Sequence, residues 1–179
     1  MNKLLNHTAL KEWASVIAAL DRGDQVVLIR KGGIADPKFG LEASRFYLFP
    51  TNFHDSGAPL PSAIPITHWC EALRTWEVRD LQTLLRLAPF VVFDQQTLET
   101  RYRFRSDQAV HVIAVRTWAL ARPVRVAMTE AYAGCRSWVS LDEEIDIDGS
   151  RPALGDAALQ AKIDQVSTAL SWSSLAFSS

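Results

Sequence analysis

Two groups of basic residues are the parts of this sequence best equipped for chemistry. Arg30-Lys31-Gly32-Gly33 closes an apolar run. Two cations beside two glycines can bring positive charge and bare backbone amides up to a phosphate. The same glycines also suit a plain hairpin turn, since glycine takes backbone conformations that other residues avoid. Arg101, Arg103 and Arg105 alternate with Tyr102 and Phe104. The alternation predicts an extended strand with three arginines on one face, where cross-strand acids, solvent or an anionic ligand must offset their repulsion. Glu99 continues that face, and the acidic stretch 142–148 is the candidate neighbour. Arg116, Arg122, Arg125 and Arg136, with an exposed Tyr132 or Trp138, would extend the surface by combining phosphate contacts with ring stacking.

Other chemistries find less support. Cys135 lies between Gly134 and Arg136, whose charge would favour a thiolate nucleophile, yet no histidine stands near it in sequence to act as base. A buried small side chain is the alternative for Cys135. His54 is the other candidate for a hydrolytic site, which would have to be assembled from distant residues. A zinc site drawn from His54, His68, His111 and Cys135 lacks any close-spaced pair of ligands, so no metal and no cofactor is expected. The strand-then-proline opening at 26–31 and 47–50 resembles that of nucleoside-diphosphate-linked hydrolases. Residues 51–65 offer one aspartate and no glutamate for the magnesium such enzymes hold. Asp94 and Glu99-Thr-Arg101 imitate a restriction-type nuclease, but the two acids are too close for a hairpin and arginine replaces lysine.

Composition narrows the class. The 179 residues carry 19 basic and 20 acidic side chains, 48% hydrophobic and 22% charged residues, near the average for globular proteins. Lysines number only five, at 3, 11, 31, 38 and 162, so arginine supplies most of the positive charge. Arginine grips phosphate with a planar fork and stacks on rings; a high genomic G+C content would give the same bias. No apolar run reaches the roughly 18 residues of a spanning helix, and the opening residues do not read as a secretory signal. Two cysteines are too few for a disulfide framework. The expectation is a cytoplasmic protein with reduced thiols and no membrane partner.

The elements that must position these groups follow from periodicity. Residues 8–20 predict a helix with Thr8 as N-cap and Leu10, Trp13, Val16, Ile17 and Leu20 on one face. Strands are predicted at 25–30 and 44–49, paired as a hairpin across a glycine-rich loop. Residues 55–65 read as loop, and 67–78 fit strand or helix equally. Residues 80–88 predict a helix ended by Pro89, and 89–93 either a strand or the end of that helix. Residues 110–120 form the strongest predicted strand, followed by strands at 124–128 and 138–141. The acid–isoleucine alternation at 142–148 suits a half-exposed edge strand, where charge deters pairing with other chains. A final helix covers 153–170, and 171–179 reads as a frayed tail. Strands uninterrupted by helices in the second half argue against a doubly wound parallel sheet. The expectation is one α+β domain over 1–179, a mainly antiparallel curved sheet or small barrel flanked by about three helices.

Several segments together resemble a bacterial family described as a domain of unknown function, DUF1802. They are Ala9-Leu-Lys-Glu-Trp-Ala14, Leu28-Ile-Arg-Lys-Gly-Gly-Ile34, Phe46-Tyr-Leu-Phe-Pro-Thr51 with His54, Val112-Ile-Ala-Val-Arg116 and Tyr132-Ala-Gly-Cys-Arg-Ser-Trp138. The resemblance implies one continuous domain over about 8–145 and brings no catalytic residues with it. Three functions stay open: a small non-catalytic module binding nucleic acid or a phosphorylated small molecule, a hydrolase of nuclease or phosphodiesterase type, and a protein–protein interaction domain using some of the six tryptophans.

Overall fold

The computed structural model describes residues 7–31, 40–51, 61–104, 107–134 and 136–171. Among these residues seven strands form one sheet. They are β1 (Thr8–Trp13), β2 (Val27–Arg30), β3 (Arg45–Thr51), β4 (Ala63–Val78), β5 (Val110–Ala127), β6 (Trp138–Ser140) and the two-residue β7 (Arg151–Pro152). The order is β2-β5-β4-β3-β1-β6, with β7 pairing β5. Only β1 and β3 run parallel; every other pair is antiparallel. Among the described residues four helices flank the sheet: α1 (Ala14–Asp21), α2 (Leu81–Leu85), α3 (Gln95–Arg103) and α4 (Asp156–Ser171). The α+β class and the curved, mainly antiparallel sheet are as expected. The sheet does not close into a barrel, since β2 and β6 end its path.

Alternation along β3 builds two cores at once. Phe46 and Leu48 join a cluster with Leu10, Leu28, Val112 and Ile113, while Tyr47 and Phe49 join Ile66, Trp69, Leu120 and Tyr132. A strand buried on both faces must have an apolar residue at nearly every position, as Phe46-Tyr-Leu-Phe49 does. On β1, Ala9 and Leu10 likewise go to opposite cores. The ladder on both sides of β1 overrides the helical spacing of 8–20, leaving a helix only from Ala14 onward.

Further expectations change. The strand at 25–30 and that at 44–49 are not a hairpin: β2 pairs β5, and β3 lies between β1 and β4. Residues 67–78 resolve as strand, and the strands foreseen at 110–120 and 124–128 are one, β5. Its register against β4 jumps between Ile66 and His68, opposite Val124 and Ala119, which accommodates Pro123. Residues 88–90 form a 3-10 turn rather than a strand. Residues 142–148 form no strand; Ile145 is buried and its carbonyl accepts the Tyr47 hydroxyl at 3.1 Å. The arginine-rich segment is helical up to Arg103, because Asp94 caps α3 by accepting the Thr97 amide at 2.7 Å.

A candidate anion site at the open seam of the sheet

β2 ends the path of the sheet, and side chains rather than a backbone ladder join it to β1. Arg30, the last residue of β2, donates through Nη1 to the Lys11 carbonyl on β1 at 3.0 Å. The same nitrogen lies 3.3 Å from Glu12 Oε2. The Glu12 side chain is 1% exposed and that of Arg30 11%, so this ion pair is held in the interior. Glu12 Oε1 accepts the Trp13 amide at 2.8 Å, and the Glu12 carbonyl accepts the Thr51 hydroxyl at 3.2 Å. Lys11 reaches the other way, donating to the Gly134 carbonyl at 3.0 Å.

Arg101 enters the seam from α3. Its Nη1 donates to the Ile29 carbonyl of β2 at 3.2 Å. Its guanidinium carbon stands 4.8 Å from the Trp13 ring centre and 4.3 Å from that of Phe93. The two ring planes are 88° apart, so the cation sits in an aromatic corner where each ring contributes cation–π attraction. Burial lowers the Arg101 pKa, Glu12 raises it and the neighbouring Arg30 lowers it further. Among the described residues, Arg101 Nε and Nη2 make no hydrogen bond. Lys31 completes the group. Its ammonium bonds the Tyr102 carbonyl in the last turn of α3 and stands 5.2 Å from the Tyr102 ring. A cation there also complements the helix dipole. Burial lowers the Lys31 pKa, and Asp107 opposes the shift.

The structure therefore brings together Arg30, Lys31 and Arg101 among the basic residues singled out in the sequence. It does not form a three-arginine ladder. In a helix, residues two apart point about 200° from each other, and Arg103 turns outward to pair with Glu99 at 3.6 Å. Among the described residues, neither Arg101 nor Arg103 pairs with Asp146 or Asp148. Arg116 pairs with Asp156 in the first turn of α4 at 2.9 Å, and Arg136 is exposed beyond Gly134. Tyr132 and Trp138, expected on the surface, are 1% and 7% exposed. The Tyr132 hydroxyl donates to Asp142 Oδ2 at 3.1 Å and accepts the Asp142 amide at 2.9 Å. Burial raises its pKa. Trp138 Nε1 donates to the Gly40 carbonyl at 2.8 Å. Gly32, Gly33, His54, Arg105 and Cys135 lie outside the described residues.

Sequence reasoning missed Lys11, Glu12 and Trp13. Lys11 and Glu12 fit the solvated face of the helix predicted over 8–20, so no local signal marked them. Cys70, the described free cysteine, is fully buried; burial pushes its thiol up to about 12, with the Thr117 hydrogen bond opposing and Glu12 adding. His68 lies 3.1 Å from Asp21 through Nε2 and 2.7 Å from the Thr67 hydroxyl through Nδ1. The contact to Asp21 has ion-pair distance without hydrogen-bond alignment. No group of three or more His, Cys, Asp or Glu side chains converges as metal ligands among the described residues. No described helix is long and apolar enough to cross a membrane.

Residues 9–165 match the family described as "Domain of unknown function (DUF1802)", and the chain belongs to that family. No curated protein matches it. Among solved structures, a tyrosine-to-phenylalanine mutant of ASCH from Zymomonas mobilis is 14% identical, with a TM-score of 0.50 over 88% of this chain and 96% of that one. A serine-to-alanine mutant of the same protein is 12% identical, with a TM-score of 0.49 over 92% and 99%. The likeness to the first of these structures is one of fold.

Proposed function

We propose that this protein is a small binding module for nucleic acid or a nucleotide, and that Arg101, Arg30 and Lys31 hold the anion at the open seam. The observation that carries the reading is the state of Arg101. Two rings and the Ile29 carbonyl hold its guanidinium in place, while two of its nitrogens make no hydrogen bond. A guanidinium held rigid before binding loses little side-chain entropy on meeting a phosphate. Arg30 at the end of β2 and Lys31 just after it add further positive charge, so the positive potential of the site exceeds that of one side chain. Trp13 and Tyr102 at the same edge supply rings on which a base can stack. The module reading asks nothing more of the site than binding.

The test is anisotropy of a labelled single-stranded 12-mer, RNA and DNA in turn, from about 50 to 200 mM salt. Binding should weaken steeply with salt, and Lys31→Gln should flatten the slope of log K against log salt by about 0.7, the share of one phosphate contact on a single strand. Absence of binding at about 50 mM salt would sink the proposal. An unchanged slope in the variant would remove Lys31 from the site.

A further inference from the structure

The manner in which Arg101 is held says which phosphate it can take. Its Nη1 is committed to Ile29, and Trp13 and Phe93 form the corner in which the guanidinium lies. The nitrogens left over, Nε and Nη2, share one edge of the guanidinium plane. Their two parallel N–H bonds are the pair that grips two oxygens of one phosphate. Arg30, whose charge acts on Arg101, is almost wholly buried, so these two cations are set back among β1, β2 and the residues before α3 rather than spread along an outer face.

We propose that the seam binds a terminal phosphate, the phosphomonoester at the end of a nucleic-acid chain or on a nucleotide, in preference to the internal phosphodiesters of a strand. This rests on the binding reading above and narrows its ligand. A diester has chain on both sides and must lie across the mouth of the seam, whereas an end projects a single group into it. A monoester also offers three free oxygens and about −1.5 to −2 charges at pH 7. A diester offers two oxygens and one charge. The larger charge suits a place where Arg30 and Arg101 repel one another and Glu12 is the carboxylate acting on both. Lysine could supply charge at position 101 but not the edge of paired donors.

The experiment uses three oligonucleotides of one sequence, bearing a 5′-phosphate, a 3′-phosphate or hydroxyls at both ends, titrated into the full chain at low salt. At least one phosphorylated form should bind about tenfold or more tightly than the hydroxyl form, the worth of two charge-assisted hydrogen bonds. Equal affinity of all three would overturn the terminal-phosphate assignment while leaving the binding module standing. No binding by any of them would overturn the module itself. These outcomes need no variant, so they hold even where a seam substitution disturbs folding. In Arg101→Lys of unchanged melting midpoint, the preference for the phosphorylated end should disappear; its survival would overturn the role given to Arg101.

Discussion

The long β4–β5 ladder and the β2–β1 seam join strands of the same sheet by opposite means. Along β4 and β5 the backbones pair over strands of 16 and 18 residues. The hydrogen bonds that pair them belong to the main chain, and side chains such as Ile66, Val112 and Ile113 are left to fill the cores. At the seam the backbones of β1 and β2 do not pair among the described residues. Arg30 reaches a β1 carbonyl, Arg101 a β2 carbonyl, and Glu12 compensates the charge. The contrast shows where this fold keeps groups with chemistry to spare. A main-chain ladder consumes its donors completely, whereas a guanidinium has more donors than the one carbonyl it bridges. A buried ion pair is also a weak source of net stability, so the seam contributes less to folding than its contacts suggest.

That comparison can be strained at three points. On the ladder, Ile113→Ala removes a fully buried side chain of β5 and should cost about 4 kcal/mol of unfolding free energy in urea. A loss below about 1 kcal/mol would mean the ladder region is not the rigid half. At the seam, Arg30→Met should cost about 3 kcal/mol, because it strands Glu12 in the interior without its partner. Adding Glu12→Gln should return part of that loss. If the double variant is no better than the single one, the charge pair is not what holds the seam. The smallest effect lies away from both regions, at the N-cap of α2, where Asp80 accepts the Thr83 amide at 2.8 Å. Asp80→Ala should cost about 1 kcal/mol at neutral pH. The hydrogen bond with Thr83 holds the Asp80 carboxyl below its ordinary value of 3.8. A folded-state pKa that is depressed gives stability present above the unfolded pKa and lost as pH falls through the folded one. The gap between wild type and variant should therefore be constant near neutrality and close below about pH 4; a gap that persists in stronger acid would point to a cause other than this cap.

Local pattern was enough where only one period fits. Val110 to Leu120 is too apolar and β-branched to be anything but strand, and 153–170 is spaced for a helix. It failed where two periods fit the same letters. Thr8 to Trp13 continues the helical face of Val16, Ile17 and Leu20, yet it is a strand because β3 and β6 flank it. Arg101-Tyr-Arg-Phe-Arg105 alternates like a strand, yet Asp94 with the Thr97 amide starts a helix that carries it as far as Arg103. The helix disperses the ladder, and one of its arginines reaches the site for a reason the alternation did not contain. Arg30 and Lys31 were legible as cations ending a strand. Their partners on β1 were not, since Lys11 and Glu12 look like the solvated side of a helix.

The sequence by itself determined the class of the fold, the interiors of most elements, the family, and the presence of a cationic end on β2. Those properties depend on residues near one another in the chain, where side-chain periodicity and caps act. Tertiary structure alone decided that β2 pairs with β5, that β1 lies between β3 and β6, and that the sheet stays open between its ends. Periodicity states which face of a strand is buried but not which strand lies beside it. The candidate site exists because of that second choice: an unpaired seam is what sets Arg30, Arg101, Glu12 and Trp13 against one another.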